Sequence, residues 1–290
     1  MRVLVASIIK SHYVLLKKLT NVYLCRLLQF KTRLTKIKNK KRSNVLINHI
    51  IVKKSNCVLI KRSVLAGLFH KLPGGLINNI FLIFPFIYKT NLINYEAGTN
   101  LAQISNLKEA INHTKNLKGE IIECGSNRCG TTSILGMYLK EKNINKKIYA
   151  LDSFTGFDLK ELQNERDAEL TTMPFGCYLN NSYNYVVKKI KKIKLTNFVI
   201  PIKGYFEETL PKLNMNFCFV FIDCDLGESI KFSAENIWPK LSSNGIIYVH
   251  DYDHPTFQNV KPCVDKFVID HNNEIKESYP IDGMYMIVKK

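Results

Sequence analysis

The stretch that most constrains this chain is residues 120–130, whose sequence is EIIECGSNRCG. Ile121 and Ile122 end a short apolar run, a turn bounded by glycines follows, and apolar residues then recur at helical spacing. This pattern predicts a strand, a tight turn and a helix. Because such a turn lets backbone N–H groups and a helix N-terminus approach a ligand, and Glu123 ends the strand, we interpret it as a cofactor-binding corner. A plain strand-to-helix turn is the alternative.

The spacing of residues around this turn separates two classes of cofactor. The glycine after Gly125 is Gly130, so the Gly-x-Gly-x-x-Gly pattern of nicotinamide dinucleotide sites is absent here. Asp152 follows the next predicted strand, about where an acidic residue reaches a ribose diol in nucleotide-binding βαβ units. We therefore expect Asp152 to bind the ribose of a cofactor, and a helix cap or turn former is the alternative.

Charge divides the chain into two parts. The first 100 residues hold 18 of the 42 Lys and Arg residues and a single acidic residue, Glu96, although the chain contains 24 acidic residues. We place the domain boundary between residues 95 and 96, which gives a basic, partly apolar extension over 1–95 and a near-neutral globular domain over 96–290. The eight cysteines lack paired short spacings of the zinc type. Such usage predicts reduced thiols and a cytoplasmic protein.

The extension is predicted to attach the chain to the periphery of an anionic membrane. Residues 36–42 form a dense basic run, and residues 76–88 supply apolar and aromatic side chains in a stretch too short to span a bilayer. Nucleic acid is disfavoured as the partner because the basic run carries no aromatic residues for base stacking. A transit peptide and an extension folded against the domain are the alternatives, and an oligomer is left open.

Beyond residue 101, apolar segments alternate with helical patterns. A helical pattern runs from Leu101 into Gly119. The predicted strands after it are 120–124, 147–152, 198–202, 217–223, 246–250 and 284–288, and the further predicted helices are 131–142, 182–194, 205–213, 228–241 and 258–271. Alternation of this kind predicts a parallel sheet covered by helices on both faces. The connection 153–180 is long, and we expect it to form a lid over a substrate.

Two strand ends that should be neighbours in such a sheet deliver clusters of polar ligands. Asp223 and Asp225 follow one predicted strand, and His250 and Asp251 follow the next. These groups would repel one another without a cation or protons between them. A divalent metal of the Mg²⁺ type is the hypothesis that explains the cluster, and loop carboxylates spread into solvent are the alternative.

The residues described so far resemble class I S-adenosylmethionine-dependent methyltransferases, and within them the macrocin O-methyltransferase group, which methylates sugar hydroxyls. The resemblance extends from about residue 100 to the C-terminus and rests on motifs at 122–125 with 130–131, 150–157, 203–211, 221–226 with 228–229, and 238–241 with 245 and 250–252. It implies an α/β Rossmann-like fold with a mostly parallel seven-stranded sheet. It also implies O-methyl transfer to a sugar or another polyhydroxylated small molecule, assisted by a divalent metal.

The resemblance also assigns roles by position. The residues implied to contact S-adenosyl-L-methionine are Glu123, Gly125, Ser126, Asn127, Gly130, Thr131, Asp152, Ser153 and Phe154. The implied Mg²⁺ ligands are Asp223, His250 and Asp251, and the implied catalytic groups are Asp225 and His250, either of which would act as a base. Three positions depart from the family pattern: Cys129 replaces a glycine, Gly227 a tyrosine and His250 an acidic residue. These departures keep a second hypothesis open, a methyltransferase-like binding module without chemistry.

Overall fold

The computed structural model describes residues 96–179 and 181–290. The predictions for residues 1–95, and the domain boundary drawn at their end, lie outside the described residues and stay predictions.

A seven-stranded sheet forms the centre of the described part of the chain. Its strands are β1 (Glu120–Cys124), β2 (Ile148–Asp152), β3 (Val199–Lys203), β4 (Phe217–Ile222), β5 (Leu241–Val249), β6 (Ile275–Ile281) and β7 (Met284–Lys289). Their order across the sheet is β3-β2-β1-β4-β5-β7-β6. The first five strands pair in parallel, whereas β7 runs antiparallel to both β5 and β6.

Helices cover both faces of this sheet. They are α1 (Leu101–Thr114), α2 (Gly130–Glu141), α3 (Leu159–Asp167), α4 (Tyr183–Lys192), α5 (Phe206–Thr209), α6 (Gly227–Ile237) and α7 (Val260–Asp270), with short 3₁₀ turns at Leu210–Lys212, Trp238–Lys240 and Asn272–Glu274. Within the described ranges, none of them combines the length and the apolar character that crossing a bilayer requires.

Strand β4 shows why the sheet needs two covered faces. All six residues of its sequence FCFVFI are buried. Because successive side chains of a strand point to opposite faces, Phe219 packs with Leu107 of α1 on one face, and Val220 packs with Ile230 of α6 on the other. A continuous apolar run is the sequence pattern of a parallel strand buried on both sides.

The predicted fold class, a mostly parallel seven-stranded sheet with helices on both faces, is confirmed by this architecture. The residue patterns missed two elements. Strand β6 was missed because it is an edge strand whose sequence IKESYPI is mostly exposed and contains Pro280, so apolar alternation is lost. Helix α3 was missed because its sequence LKELQNERD is almost entirely polar, and only the N-cap Asp158 marks its start.

The order of the strands determines where a ligand can bind. The chain runs outward from β1 through β2 to β3 on one side, and from β4 to β5 on the other side. In open α/β sheets, ligands bind outside the carboxyl ends of the strands at the point where the strand order reverses. The crevice between β1 and β4 is that point, so the candidate residues at the ends of β1, β2, β4 and β5 face a common site.

Candidate functional site

A cavity of about 840 Å³ lies at the carboxyl ends of the central strands, within the size range of small-molecule sites. Twelve of the residues singled out in the sequence line it: Glu123, Gly125, Ser126, Asn127, Gly130, Thr131, Asp152, Ser153, Asp223, Asp225, His250 and Asp251. Phe154 is not among the lining residues. Its side chain is buried with Tyr185 and Val186 under α4, and only its backbone N–H is directed to Asp152.

The turn after β1 requires glycine at its first position. Gly125 has a φ of 85°, and a Cβ atom there would lie 2.0 Å from the backbone oxygen of Asp223. The backbone N–H groups of Gly125 and Ser126 both donate to the carbonyl oxygen of Leu151, at 2.9 and 3.1 Å. Strands β1, β2 and β4 therefore converge on this residue, and a side chain would push them apart.

Two further residues of the turn adopt the left-handed conformation without being glycine. The φ angles are 46° at Asn127 and 54° at Cys129. Cys129 is the N-cap of α2 and makes no capping bond with its side chain, so the first turn of this helix begins beside the cavity without a side-chain cap. The family glycine at the position of Cys129 is explained by this backbone conformation, which a cysteine adopts at a cost of about 1 kcal/mol.

Asp152 connects three segments around the cavity. Its Oδ2 accepts the backbone N–H of Asn127 at 2.7 Å, and its Oδ1 accepts the N–H of Phe154 at 2.6 Å and the side-chain amide of Asn181 at 3.3 Å. Burial raises the pKa of Asp152, and these hydrogen bonds oppose that rise. The carboxylate is thus held by the turn after β1 and by the segment before α4.

Glu123, near the end of β1, has the lowest exposure of the acidic residues that line the cavity, with 2% of its surface exposed. Thr132 of α2 donates a short hydrogen bond to its Oε2. Burial raises the pKa of Glu123 to about 8, and the neighbouring charges of Asp223 and Asp152 add to the rise although the Thr132 bond opposes it. Glu123 therefore holds a proton at neutral pH until a cation approaches it.

The ends of β4 and β5 bring a histidine between two carboxylates. Nδ1 of His250 lies 2.9 Å from Oδ1 of Asp223 and 3.1 Å from Oδ2 of Asp251. One ligand atom from each of the three residues can be chosen so that all lie within 4.8 Å of one another. Burial by itself lowers the pKa of His250, but the two carboxylates outweigh this effect and raise it to about 11. The expected adjacency of these strand ends is thereby confirmed.

Asp225 stands beside this group on a strained backbone. It has a φ of 66°, and Asp251 has a φ of 56°, so both acidic residues adopt a conformation that costs energy outside glycine. Burial, together with the charges of Asp223 and Asp251, raises the pKa of Asp225 well above its usual range. Burial also raises the pKa of Asp251, but the hydrogen bond and the charge of His250 outweigh this effect and lower it.

The connection after β2 forms one wall of the cavity and is attached to α6. Glu165 of α3 accepts the backbone N–H of Gly227 at 2.7 Å and the side-chain amide of Asn259 at 2.9 Å. Glu161 accepts the backbone N–H and the hydroxyl of Ser229, at 2.8 and 2.6 Å. Because the N-cap of α6 offers no side-chain bond, these carboxylates satisfy its first N–H groups from another helix. Movement of this segment as a lid stays a prediction.

Gly227 has a steric reason to differ from the family. A Cβ atom there would lie 2.2 Å from Nδ2 of Asn259 and 2.9 Å from Sγ of Cys263. A tyrosine would therefore not fit beside α7 as it is placed here. The missing side chain leaves room for Asn259, which reaches Glu165 across the N-terminus of α6.

Sequence reasoning missed a buried ionic cluster behind the glycine turn. It consists of Glu96, Arg128 and Lys189, and Tyr185 adds a hydroxyl group. Two signals were available in the sequence. Glu96 is the only acidic residue among the first hundred, and Lys189 lies four residues after Tyr185 on the apolar side of a helical pattern.

The chain is similar to known O-methyltransferases in sequence and in fold. A family model described as Macrocin-O-methyltransferase (TylF) matches residues 97–288. The demethyldecarbamoylnovobiocin O-methyltransferase of Streptomyces niveus is 24% identical over 178 residues, which make up 59% of this chain and 66% of that protein. The chain thus spans slightly less than two thirds of the length of this curated relative.

Two solved structures share the fold at low sequence identity. The O-methyltransferase NovP superposes with a TM-score of 0.57 and 18% identity, over 75% of this chain and 100% of that chain. A calicheamicin methyltransferase superposes with a TM-score of 0.51 and 16% identity, over 74% of this chain and 91% of that chain. At these identities the similarity is evidence for the fold.

Proposed function

This chain belongs to the macrocin O-methyltransferase family, and on that premise we propose that it transfers a methyl group from S-adenosyl-L-methionine to a hydroxyl oxygen of a sugar or another polyhydroxylated small molecule. The observation that carries the proposal is the meeting of two groups in one cavity. Asp152 lies at the end of β2 beside the glycine turn, and the cluster of Asp223, His250 and Asp251 lies at the ends of β4 and β5.

The first group is suited to the cofactor. The glycine turn and the N-terminus of α2 would receive the methionine part, where backbone N–H groups favour its carboxylate. Glu123 lies below this position and would pair with a cationic group of the cofactor. Asp152 would accept hydrogen bonds from the ribose hydroxyls, with Ser126, Asn127, Thr131 and Ser153 around it. Phe154 contributes through its backbone, because its ring is directed into the core.

The second group fits a divalent cation. Asp223 and Asp251 offer oxygen ligands, and Nε2 of His250 is buried without a hydrogen-bond partner among the described residues. Carboxylates suit Mg²⁺, and a neutral imidazole also suits borderline ions such as Mn²⁺. When bound, such a cation supplies positive charge that lowers the pKa of a neighbouring hydroxyl group.

The remaining residues of the cavity would bind and deprotonate the acceptor. Asp225 and His250 are the candidate bases, since both line the cavity where the acceptor would bind. Rings of Phe157, Tyr178 and Phe257 line the same space and offer apolar faces to the carbon skeleton of a sugar. Transfer then requires the acceptor oxygen, the methyl carbon and the sulfonium sulfur in line, which is mainly a matter of orientation.

Loss of chemistry, the second hypothesis, receives no support from the departures that suggested it. Cys129 keeps the left-handed backbone that a glycine would adopt. At Gly227, the side chain of Asn259 occupies the space that a larger residue would need. Both differences are accommodated locally, and the cavity keeps its acidic residues. A binding module without chemistry remains one of the outcomes that the experiment distinguishes.

The test uses the full chain and separates cofactor, metal and acceptor. Calorimetry with S-adenosylhomocysteine, and with NADH in parallel, measures cofactor binding; we expect heat with the first ligand alone. Methyl-labelled cofactor, a pool of glycosides and added Mg²⁺ or Mn²⁺ then report transfer, with Asp223→Asn compared with the surface variant Asp270→Asn. No binding of S-adenosylhomocysteine by folded protein would refute the proposal. Full activity of Asp223→Asn in the presence of a chelator would refute the role of the metal but not methyl transfer itself. Binding of S-adenosylhomocysteine without transfer to any glycoside would favour a binding module without chemistry.

A further inference from the structure

The buried ionic cluster lies directly behind the glycine turn. Both carboxylate oxygens of Glu96 are used: Oε1 accepts from Nε and Nη2 of Arg128 at 3.1 and 2.9 Å, and from the hydroxyl of Tyr185 at 2.5 Å. Oε2 accepts from Nζ of Lys189 at 2.8 Å. The side chains of Glu96 and Lys189 have no exposed surface. Desolvation costs make buried charges expensive, so a cluster of this kind calls for an explanation beyond stability.

Lys189 contacts the turn itself. Besides the carboxylate of Glu96, its Nζ reaches the carbonyl oxygen of Arg128 in a short contact and that of Cys129 at 3.3 Å. These carbonyls belong to the two residues that directly precede the first residue of α2. The ammonium group therefore holds the backbone of the turn where it leads into α2.

Glu96 contacts the turn through its backbone as well. A Cβ atom on Gly130 would lie 2.2 Å from both the carbonyl carbon and the carbonyl oxygen of Glu96, so the segment before α1 packs directly on the first residue of α2. The hydroxyl groups of Thr99 and of Thr131, the next residue of α2, are 3.0 Å apart. The segment that precedes α1 thus packs against the glycine turn and the first residues of α2.

The turn needs such support because of its backbone. Asn127 and Cys129 adopt the left-handed region without being glycine, and such conformations persist only when surrounding contacts impose them. The N–H of Asn127 donates to Asp152, so a relaxation of the turn also displaces the residue assigned to the ribose. The cluster and Asp152 therefore both hold the turn, through different residues.

We propose that Glu96 and Lys189 are positioning residues, which hold residues 125–130 in the conformation that binds the cofactor although neither is needed in the transfer step itself. The part concerning the cofactor rests on the function proposed above. Burial alone would raise the pKa of Glu96, but Lys189 and Arg128 lower it, so the carboxylate stays ionised between its two cations. The pair acts on ligand binding through backbone geometry.

The decisive variant is Lys189→Met in the full chain. It removes the donor to the two turn carbonyls and leaves Glu96 paired with Arg128, so no acidic group is left without a cation. Tyr185→Phe is the matched control, because it removes a hydrogen bond to the same carboxylate without changing the contacts of Lys189 with the turn. Trp238→Phe, which removes a bond from Trp238 to Glu274 at 3.1 Å, controls for destabilisation elsewhere.

Hydrogen exchange without cofactor and calorimetry with S-adenosylhomocysteine give two independent readouts. For Lys189→Met we expect exchange of the amides of residues 125–130 to rise at least about tenfold, with β5 unchanged, and the dissociation constant to rise by about tenfold or more. Both controls should lower the melting temperature without either effect. If the turn of Lys189→Met exchanges its amide hydrogens at the wild-type rate, or if the exchange rate rises equally in the turn and in β5, the proposal is wrong.

A second variant keeps the test open if Lys189→Met does not fold. Glu96→Gln retains Lys189 but removes the charge that anchors it, so the same selective rise in exchange at residues 125–130 is expected. An unchanged exchange rate in the turn of Glu96→Gln, or an equal rise in the turn and in β5, would contradict the proposal as well. If the wild-type chain binds no S-adenosylhomocysteine, the proposed function fails, and the exchange comparison still decides whether Glu96 and Lys189 position the turn.

Discussion

The backbone N–H of Asn127 donates to Oδ2 of Asp152 at 2.7 Å. This bond joins the turn after β1 to the end of β2, which are separate motifs in the sequence. It gives Asp152 two tasks, since the same carboxylate shapes the turn and is the residue assigned to the ribose of the cofactor. Changes at Asp152 should therefore affect both folding and binding.

Asp152→Asn is expected to weaken cofactor binding by at least about tenfold and to lower the free energy of unfolding by about 1–3 kcal/mol. The new amide group would place N–H donors against the N–H of Asn127 or of Phe154, which leaves buried donors without an acceptor. Calorimetry with S-adenosylhomocysteine and urea denaturation measure the two effects. Asp270→Asn on the surface of α7 is the control, and equal behaviour of the two variants would contradict the assignment.

Cofactor binding at pH 7 is expected to release up to about one proton. Glu123 has a pKa raised to about 8 by burial, so it is mostly protonated at pH 7, and a cationic ligand would favour its ionised form. Calorimetry in phosphate and in Tris buffer detects this release as a difference in apparent heat. The difference should vanish in Glu123→Gln. Equal heats in the two buffers for the wild-type chain would show that Glu123 does not ionise on binding.

Without cofactor, Glu123 should make stability decrease as the pH rises. Its carboxyl group holds a proton in the folded chain up to a pH of about 8 but in the unfolded chain only up to 4.5, so the folded state binds more protons between these values. The loss accumulates from about pH 4.5 to about pH 8, with an upper limit of about 5 kcal/mol. Denaturation of Glu123→Gln and of the wild-type chain should coincide near pH 4.5 and diverge by pH 8 in favour of the variant. A constant difference over this range would contradict the pKa.

The elements that could be predicted from the sequence are those whose residues face the core. Strand β4 was found because all its residues are apolar, and the adjacency of Asp223 and His250 followed from parallel strands ending at one edge. Asp152 was found because it ends an apolar run. In each case a local pattern and a general rule of sheet geometry were sufficient.

The residues that could not be predicted act through tertiary contacts with distant parts of the chain. Glu165 looks like a surface residue of a polar segment, and only the fold brings it to the N–H of Gly227. Lys189 sits in a lysine-rich helix, and its burial depends on Glu96, which lies 93 positions earlier. Partners so far apart leave no spacing rule in a single sequence.

Gly227→Ala is expected to destabilise the fold by about 1–3 kcal/mol, the usual cost of overpacking. The added methyl group would meet Asn259, whose side chain is held by Glu165 and cannot turn away without losing that bond. Urea denaturation measures the change, and a second substitution, Asn259→Ala, should restore part of the loss by making room. A single variant as stable as the wild type would show that α7 shifts freely. Gly98→Ala, where the structure is open, is the control.

For residues 1–95 we propose peripheral attachment to an anionic membrane. Basic side chains near such a surface contribute about 1 kcal/mol each, and apolar and aromatic residues at 76–88 would add insertion, so two weak effects combine. The test is flotation of the full chain with vesicles containing phosphatidylserine at moderate salt, compared with vesicles of phosphatidylcholine alone. We expect binding to the anionic vesicles only.

A full-chain variant with Gln at Lys36, Lys38, Lys40, Lys41 and Arg42 tests the electrostatic part of this attachment. Removing five positive charges from one run should reduce flotation strongly, whereas Gln at Lys188, Lys191 and Lys192 on the exposed side of α4 should leave it nearly unchanged. RNA added as a competitor distinguishes the rival partner, because charge alone does not separate phosphodiesters from phospholipids. Wild-type chain that stays with the soluble fraction on anionic vesicles would refute the membrane proposal, and release of bound chain by RNA at low concentration would favour nucleic acid.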